Sequence, residues 1–203
     1  MISRKPKIQE GDFYKVINQA IAEERHVDYL QEVLKKYEEY KRVFDENFTD
    51  KNPREAVYKF HAVYLLKKPV WRDIEILGKQ TFCHLAEEII YSMNWDNDHM
   101  HGFEFPKVRK KPAPFFIGSA SSFFAPGWED DPYPTYKSDE IRICDMDYTK
   151  QPKLNFMFDF GDGHEFDIAF GGTRSINKKE KERDFPRMVD QRGVAPEQYP
   201  AYE

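Results

Sequence analysis

The sequence predicts an α+β fold: a mixed or antiparallel sheet with a β-β-α-β unit and a C-terminal hairpin, preceded by an N-terminal pair of helices. Three observations predict it. Apolar residues recur at helical spacing through residues 12–47. Two Val-, Tyr- and Ile-rich runs lead into a capped amphipathic helix and a further strand. Strict alternation around Gly161-Asp162-Gly163 marks a hairpin. At 203 residues, 40% hydrophobic and 16% aromatic, the chain can bury a core despite a mean hydropathy of -0.80.

In the first helical segment Phe13, Val16, Ile17, Ala20 and Ile21 share a stripe, followed by Leu30, Val33, Leu34, Tyr37 and Phe44. Asp12 is placed to cap the start. Asp28 with Gln31 matches a capping box, so a break falls near residues 26–28. The stripe needs cover from the sheet or from another subunit. Residues 56–66 and 70–77 read as strands joined by Lys67-Lys68-Pro69, and Gly78 closes the second. Thr81 caps a helix with Phe82, Leu85, Ala86, Ile89, Ile90 and Met93 on one face, and Asn94 suits a left-handed end. Residues 99–108 read as the next strand. If the strands flanking that helix are parallel neighbours, the crossover is right-handed.

Residues 106–136 are proline-rich and predict a long loop, yet carry Phe115, Phe116, Phe123, Phe124 and Trp128. Packing on the domain is the expectation for some, and a partner-binding patch for the rest. Leu154, Phe156, Phe158 and Phe160 share one strand face, as do His164, Phe166, Ile168 and Phe170. The run at 178–183 reads as a solvated loop or short helix. Residues 185–203 lack periodicity and are expected along the surface. The division expected is a helical extension over 1–53 and an α+β domain over 54–203.

A formal net charge of -5 disfavours a dedicated duplex-DNA binder. Cys83 and Cys144 form no CxxC pair and read as reduced thiols of a cytoplasmic protein. No apolar run reaches membrane-spanning length, and the N-terminus lacks the apolar region of a secretory signal.

Two stretches concentrate the chemistry. Residues 95–105 bring Asp96, Asp98, His99 and His101 together. If the strand starts at His99, the two imidazoles share a face. Residues 158–165 add Asp159, Asp162 and His164. These oxygen and nitrogen donors suit a divalent metal, although zinc-type spacing and the remaining EF-hand ligands are missing. Structural roles in turns and strands are the first reading of them, ahead of the metal one. The segment at 118–122 is no nucleophile elbow, and Gly171-Gly172-Thr173 is no phosphate loop.

The runs VWRDIEI (70–76), WDNDHMHGFEF (95–105), FDFGDGHEFDI (158–168) and MVDQRGVAPEQY (188–199) occur in an order that resembles the plasmid pRiA4b ORF-3-like family, whose members also carry an insertion-element TnpR label. The resemblance spans roughly residue 56 to the C-terminus and implies a compact α+β domain linked to plasmids and mobile elements. It implies no activity and no catalytic residues. The second motif of that family runs DFGD-x-W-x-H, whereas this chain has His164 and Phe166 at the last two marked positions. The function expected is a non-catalytic binding or interaction module, with a protein partner or self-association. A metal-dependent hydrolase or nuclease built on the Asp/His clusters is the alternative. A nucleic-acid-binding accessory, using the basic run at 107–111, is a second alternative.

Overall fold

The structure, a computed structural model, describes residues 11–65, 70–105, 114–119 and 134–199. Its helices are α1 (Phe13–Ala22), α2 (Val27–Asn47) and α3 (Phe82–Ser92). Its strands are β1 (Val57–Tyr64), β2 (Val70–Leu77), β3 (His101–Phe105), β4 (Phe115–Gly118), β5 (Thr135–Lys137), β6 (Lys153–Phe158), β7 (His164–Arg174) and β8 (Arg187–Arg192). All eight form one sheet in the order β5-β4-β3-β6-β7-β1-β2-β8. Every pairing is antiparallel except β4 with β5. The strands flanking α3 therefore run the same way, but β1, β7 and β6 lie between them, so the β-β-α-β unit is not a neighbouring crossover.

Alternation decides which face is buried. Phe60, Ile74, Phe103, Phe115, Phe156 and Phe166 turn to one side and are at most 1% exposed. The other side carries Lys59, Glu165 and Asp167, all exposed, along with the half-buried His61. α3 covers the apolar face through Phe82, whose ring lies 5.2 Å from that of Phe103. The C-terminal half of α2 joins the same core through Val43 and Phe44, and Phe48 follows it. α1 has no buried residue and lies against α2, with Phe13 4.4 Å from Tyr37. The stripe on α1 is thus met by α2 rather than by the sheet.

Several local expectations change. The helix break falls where expected, but Asp12 makes no capping bond and α2 starts after His26, which sits at φ 48. The Asp28–Gln31 capping box is therefore absent: Asp28 already lies inside the first turn. Within 106–136 and just past its end, residues 115–118 and 135–137 are strands and not loop. Their short length and flanking prolines hide an alternation that buries Phe115, Ile117 and Tyr136. Phe160 leaves the face of β6, which ends at Phe158, and is 47% exposed. The tail is not merely superficial: β8 pairs with β2, and Phe185 is buried. Charges on β8 mask its pattern, as is common on an edge strand. The turn at 67–69 and residues Phe123, Phe124 and Trp128 lie outside the described residues.

Candidate functional site

Asn94, at φ 59, ends α3 in the left-handed region, and the Trp95 N–H returns to the carbonyl of Ile90 at 3.3 Å. That reversal drops the Trp95 indole, 4% exposed, onto the sheet beside β7. Its ring lies 4.3 Å from His164, 5.4 Å from Tyr64 and 6.0 Å from Phe166. The first dense stretch of the sequence is thus packed against the second.

The C-terminal segment is tied down at this junction. The indole N–H of Trp95 donates to the carbonyl of Pro196 at 2.9 Å. Nε2 of His164 bonds the carbonyl of Gln198 at 3.0 Å, and Nδ1 meets the Tyr64 hydroxyl at 2.9 Å. A carbonyl only accepts, so Nε2 carries the hydrogen; in the neutral ring the Tyr64 hydroxyl then donates to Nδ1. The Gln198 amide pairs with the backbone of Asp96, accepting its N–H at 2.7 Å and donating to its carbonyl at 2.9 Å. It also donates to Asp98 Oδ1 at 3.0 Å. The Tyr199 hydroxyl donates to the Asp98 carboxylate at 2.8 and 3.0 Å. This bond holds the Asp98 carboxyl below its ordinary range. Partial desolvation together with Asp98 pushes the Tyr199 phenol up to about 12.

The second stretch supplies Asp159 at φ 53. Its Oδ1 accepts the N–H groups of Gly161 and Asp162 at 3.0 and 3.3 Å, which shapes the hairpin turn. Its Oδ2 lies 3.5 Å from His99 Nε2, which is 4.0 Å from Asp98 Oδ2. The two stretches therefore converge at Asp98, His99 and Asp159. The other candidates diverge. β3 begins at His101, not His99, so the two imidazoles do not form a pair on one strand face. His101 points inward to Ser138 Oγ at 3.0 Å, and burial lowers its pKa. His164 is buried beneath Trp95, while the side chains of Asp96 and Asp162 sit on exposed residues. Among the described residues, no three His, Cys, Asp or Glu side chains are placed to hold a metal ion. Phe115 is a core residue stacked 4.4 Å from Phe105, and Phe116 lies over Gly102 on the opposite face.

Beside this junction is an open groove of about 1020 Å³ between the end of α3 and residues 191–199. Arg72, Trp95, Asp96, Arg192, Val194 and Gln198 contribute to its walls. Arg72, Gln198 and Tyr199 fall in the runs 70–76 and 188–199, but no chemical spacing there, or around Tyr64, marks them as site residues. They become so only through partners distant in sequence.

The family model of the plasmid pRiA4b ORF-3-like protein matches residues 59–199. A crystal structure of a protein of unknown function from Methanosarcina mazei Go1 is similar, with a TM-score of 0.57 and 22% sequence identity. The match covers 72% of this chain and 75% of that one, and it shows a shared fold. No curated protein matches. Among the described residues, no helix is long and apolar enough to cross a membrane.

Proposed function

The chain belongs to the plasmid pRiA4b ORF-3-like family, and from that premise we propose that it is a non-catalytic binding module whose ligand is received in the groove between α3 and residues 191–199. One observation carries this reading. The polar side chains of the two family motifs hold the C-terminal segment and leave a groove of about 1020 Å³ beside Trp95. His164 has both ring nitrogens bonded, His101 is turned to Ser138, and Asp159 shapes a turn. The His101–Ser138 pair is buried, at 7% and 2% exposure, and does not line the groove. Open concave space lined by an aromatic ring and a few polar groups is the usual form of a small-molecule site. The metal-dependent alternative has less support, because His101 and His164 are buried with other partners, away from the point where Asp98, His99 and Asp159 meet.

An NMR chemical-shift map of the full chain, titrated with a library of small polar fragments, tests the reading. Hits are expected to move the Trp95 indole N–H and the amides of 191–199. Hits confined to another surface, or their complete absence, would contradict it.

A further inference from the structure

Three half-buried arginines among the described residues are paired with acids. Arg142 meets Asp145 at 2.7 Å, and Arg174 and Arg187 both meet Glu75 and Glu180. Arg72 is different. It is 2% exposed, on the face of β2 turned toward α3, and among the described residues no carboxylate lies within ion-pair distance of it. Its Nε donates to the carbonyl of Ser92 at the C-terminus of α3, a position where a cation is favoured. Its Nη1 donates to the carbonyls of Trp71 and Arg192 at 2.9 and 3.2 Å, and more weakly to that of Gly193. Nη2 makes no hydrogen bond among the described residues and keeps some contact with solvent. Desolvation alone pulls the pKa of this guanidinium down, with no acid opposing it.

A guanidinium taken out of water without a counter-ion is costly, and capping one helix accounts for only part of its bonding capacity. Arg72 also forms part of the wall of the groove described above, alongside Trp95 and Val194. We propose that Arg72 is the anion anchor of this groove, and that the ligand is a small molecule presenting a carboxylate to Nη2. The inference rests on the groove being the binding site. Two features favour a compact monoanion. Asp96 and Glu197 line the same groove and offset Arg72 and Arg192, which favours a single negative charge over a phosphate dianion or a nucleic-acid backbone. Trp95, Met93, Val194 and Pro196 offer apolar surface to a short organic body.

The test titrates the full chain with sodium propanoate, propanamide and inorganic phosphate at fixed ionic strength, following the Trp95 indole N–H and the amides of 191–199 by NMR. Propanoate is expected to produce saturable shifts with a Kd on the order of millimolar, as suits so small a probe. Arg72→Met is expected to abolish them. Because that variant removes bonds to three segments, Val194→Asp and Val194→Lys are measured beside it. Val194 is 91% exposed, so neither change should disturb the fold. The aspartate is expected to weaken propanoate binding roughly threefold to tenfold and the lysine to strengthen it comparably. Propanamide binding as well as propanoate would overturn the anion assignment while leaving the groove as a binding site. Phosphate binding more tightly than propanoate would overturn the carboxylate assignment. No groove response to any probe would overturn both this inference and the binding-module reading.

Discussion

The rings of Trp95 and His164 lie 4.3 Å apart, tilted by 35°, and each bonds a carbonyl of the same C-terminal segment, Pro196 for the indole and Gln198 for the imidazole. One contact thus joins the helix-to-strand corner, the hairpin strand and the tail. Trp95→Phe retains an aromatic body but leaves the Pro196 carbonyl without its donor, an expected cost of about 1 kcal/mol. Trp95→Ala also empties the site and is expected to cost about 3–5 kcal/mol. Urea unfolding of the two variants should separate the losses; an unchanged stability in Trp95→Phe would deny the hydrogen bond a role, and equal losses would deny the ring packing one.

Gln198 closes the tail onto Asp96 and Asp98 through one amide. Gln198→Ala is expected to cost about 1–3 kcal/mol. Its sharper signature is local: amide hydrogen exchange over 194–199 should accelerate while exchange in β1 and β7 stays slow. Uniform acceleration through the sheet would show that the tail is part of the global unit instead.

Gly102 gives Phe116 its place on the open face of the sheet. A Cβ at 102 would lie 1.9 Å from Cζ of Phe116, so the ring must move. Gly102→Ala is expected to cost about 1–3 kcal/mol. In a Phe116→Ala background the same change should cost far less, and a double-mutant cycle reads the difference. Additive losses would place the constraint in the backbone.

His101 predicts a pH dependence. Burial holds its folded pKa below the ordinary 6.5. As pH falls below 6.5 the unfolded chain binds a proton that the folded chain refuses, so stability declines until pH passes the lower folded value. His101→Gln should flatten this decline. Unfolding free energies between about pH 7.5 and about pH 5.5 measure it, and an unchanged slope would remove His101 from the account.

The legible parts of the fold were those with local repetition. Alternation from Leu154 to Phe158 and from His164 to Ile168 is visible because one face is buried and the other wet. Thr81 marked α3 because a cap acts within one turn. β8 escaped because Arg187, Asp190 and Arg192 on an edge strand interrupt the pattern. β4 and β5 escaped among prolines. The site was legible only in part. Asp98, His99 and Asp159 were candidates and do converge, but the strand start at His101 separated the two imidazoles. Gln198 and Arg72 depend on partners about a hundred positions away or on several backbone carbonyls, which no spacing rule records.

On the reading proposed above, the junction of Trp95 and His164 holds a groove in which Arg72 receives an anion. The most direct measurement is a crystal structure of the full chain grown with sodium propanoate. The account predicts a carboxylate oxygen within hydrogen-bonding distance of Arg72 Nη2, with the alkyl body against Trp95. Propanoate bound elsewhere, with the groove holding only water at Nη2, would contradict it.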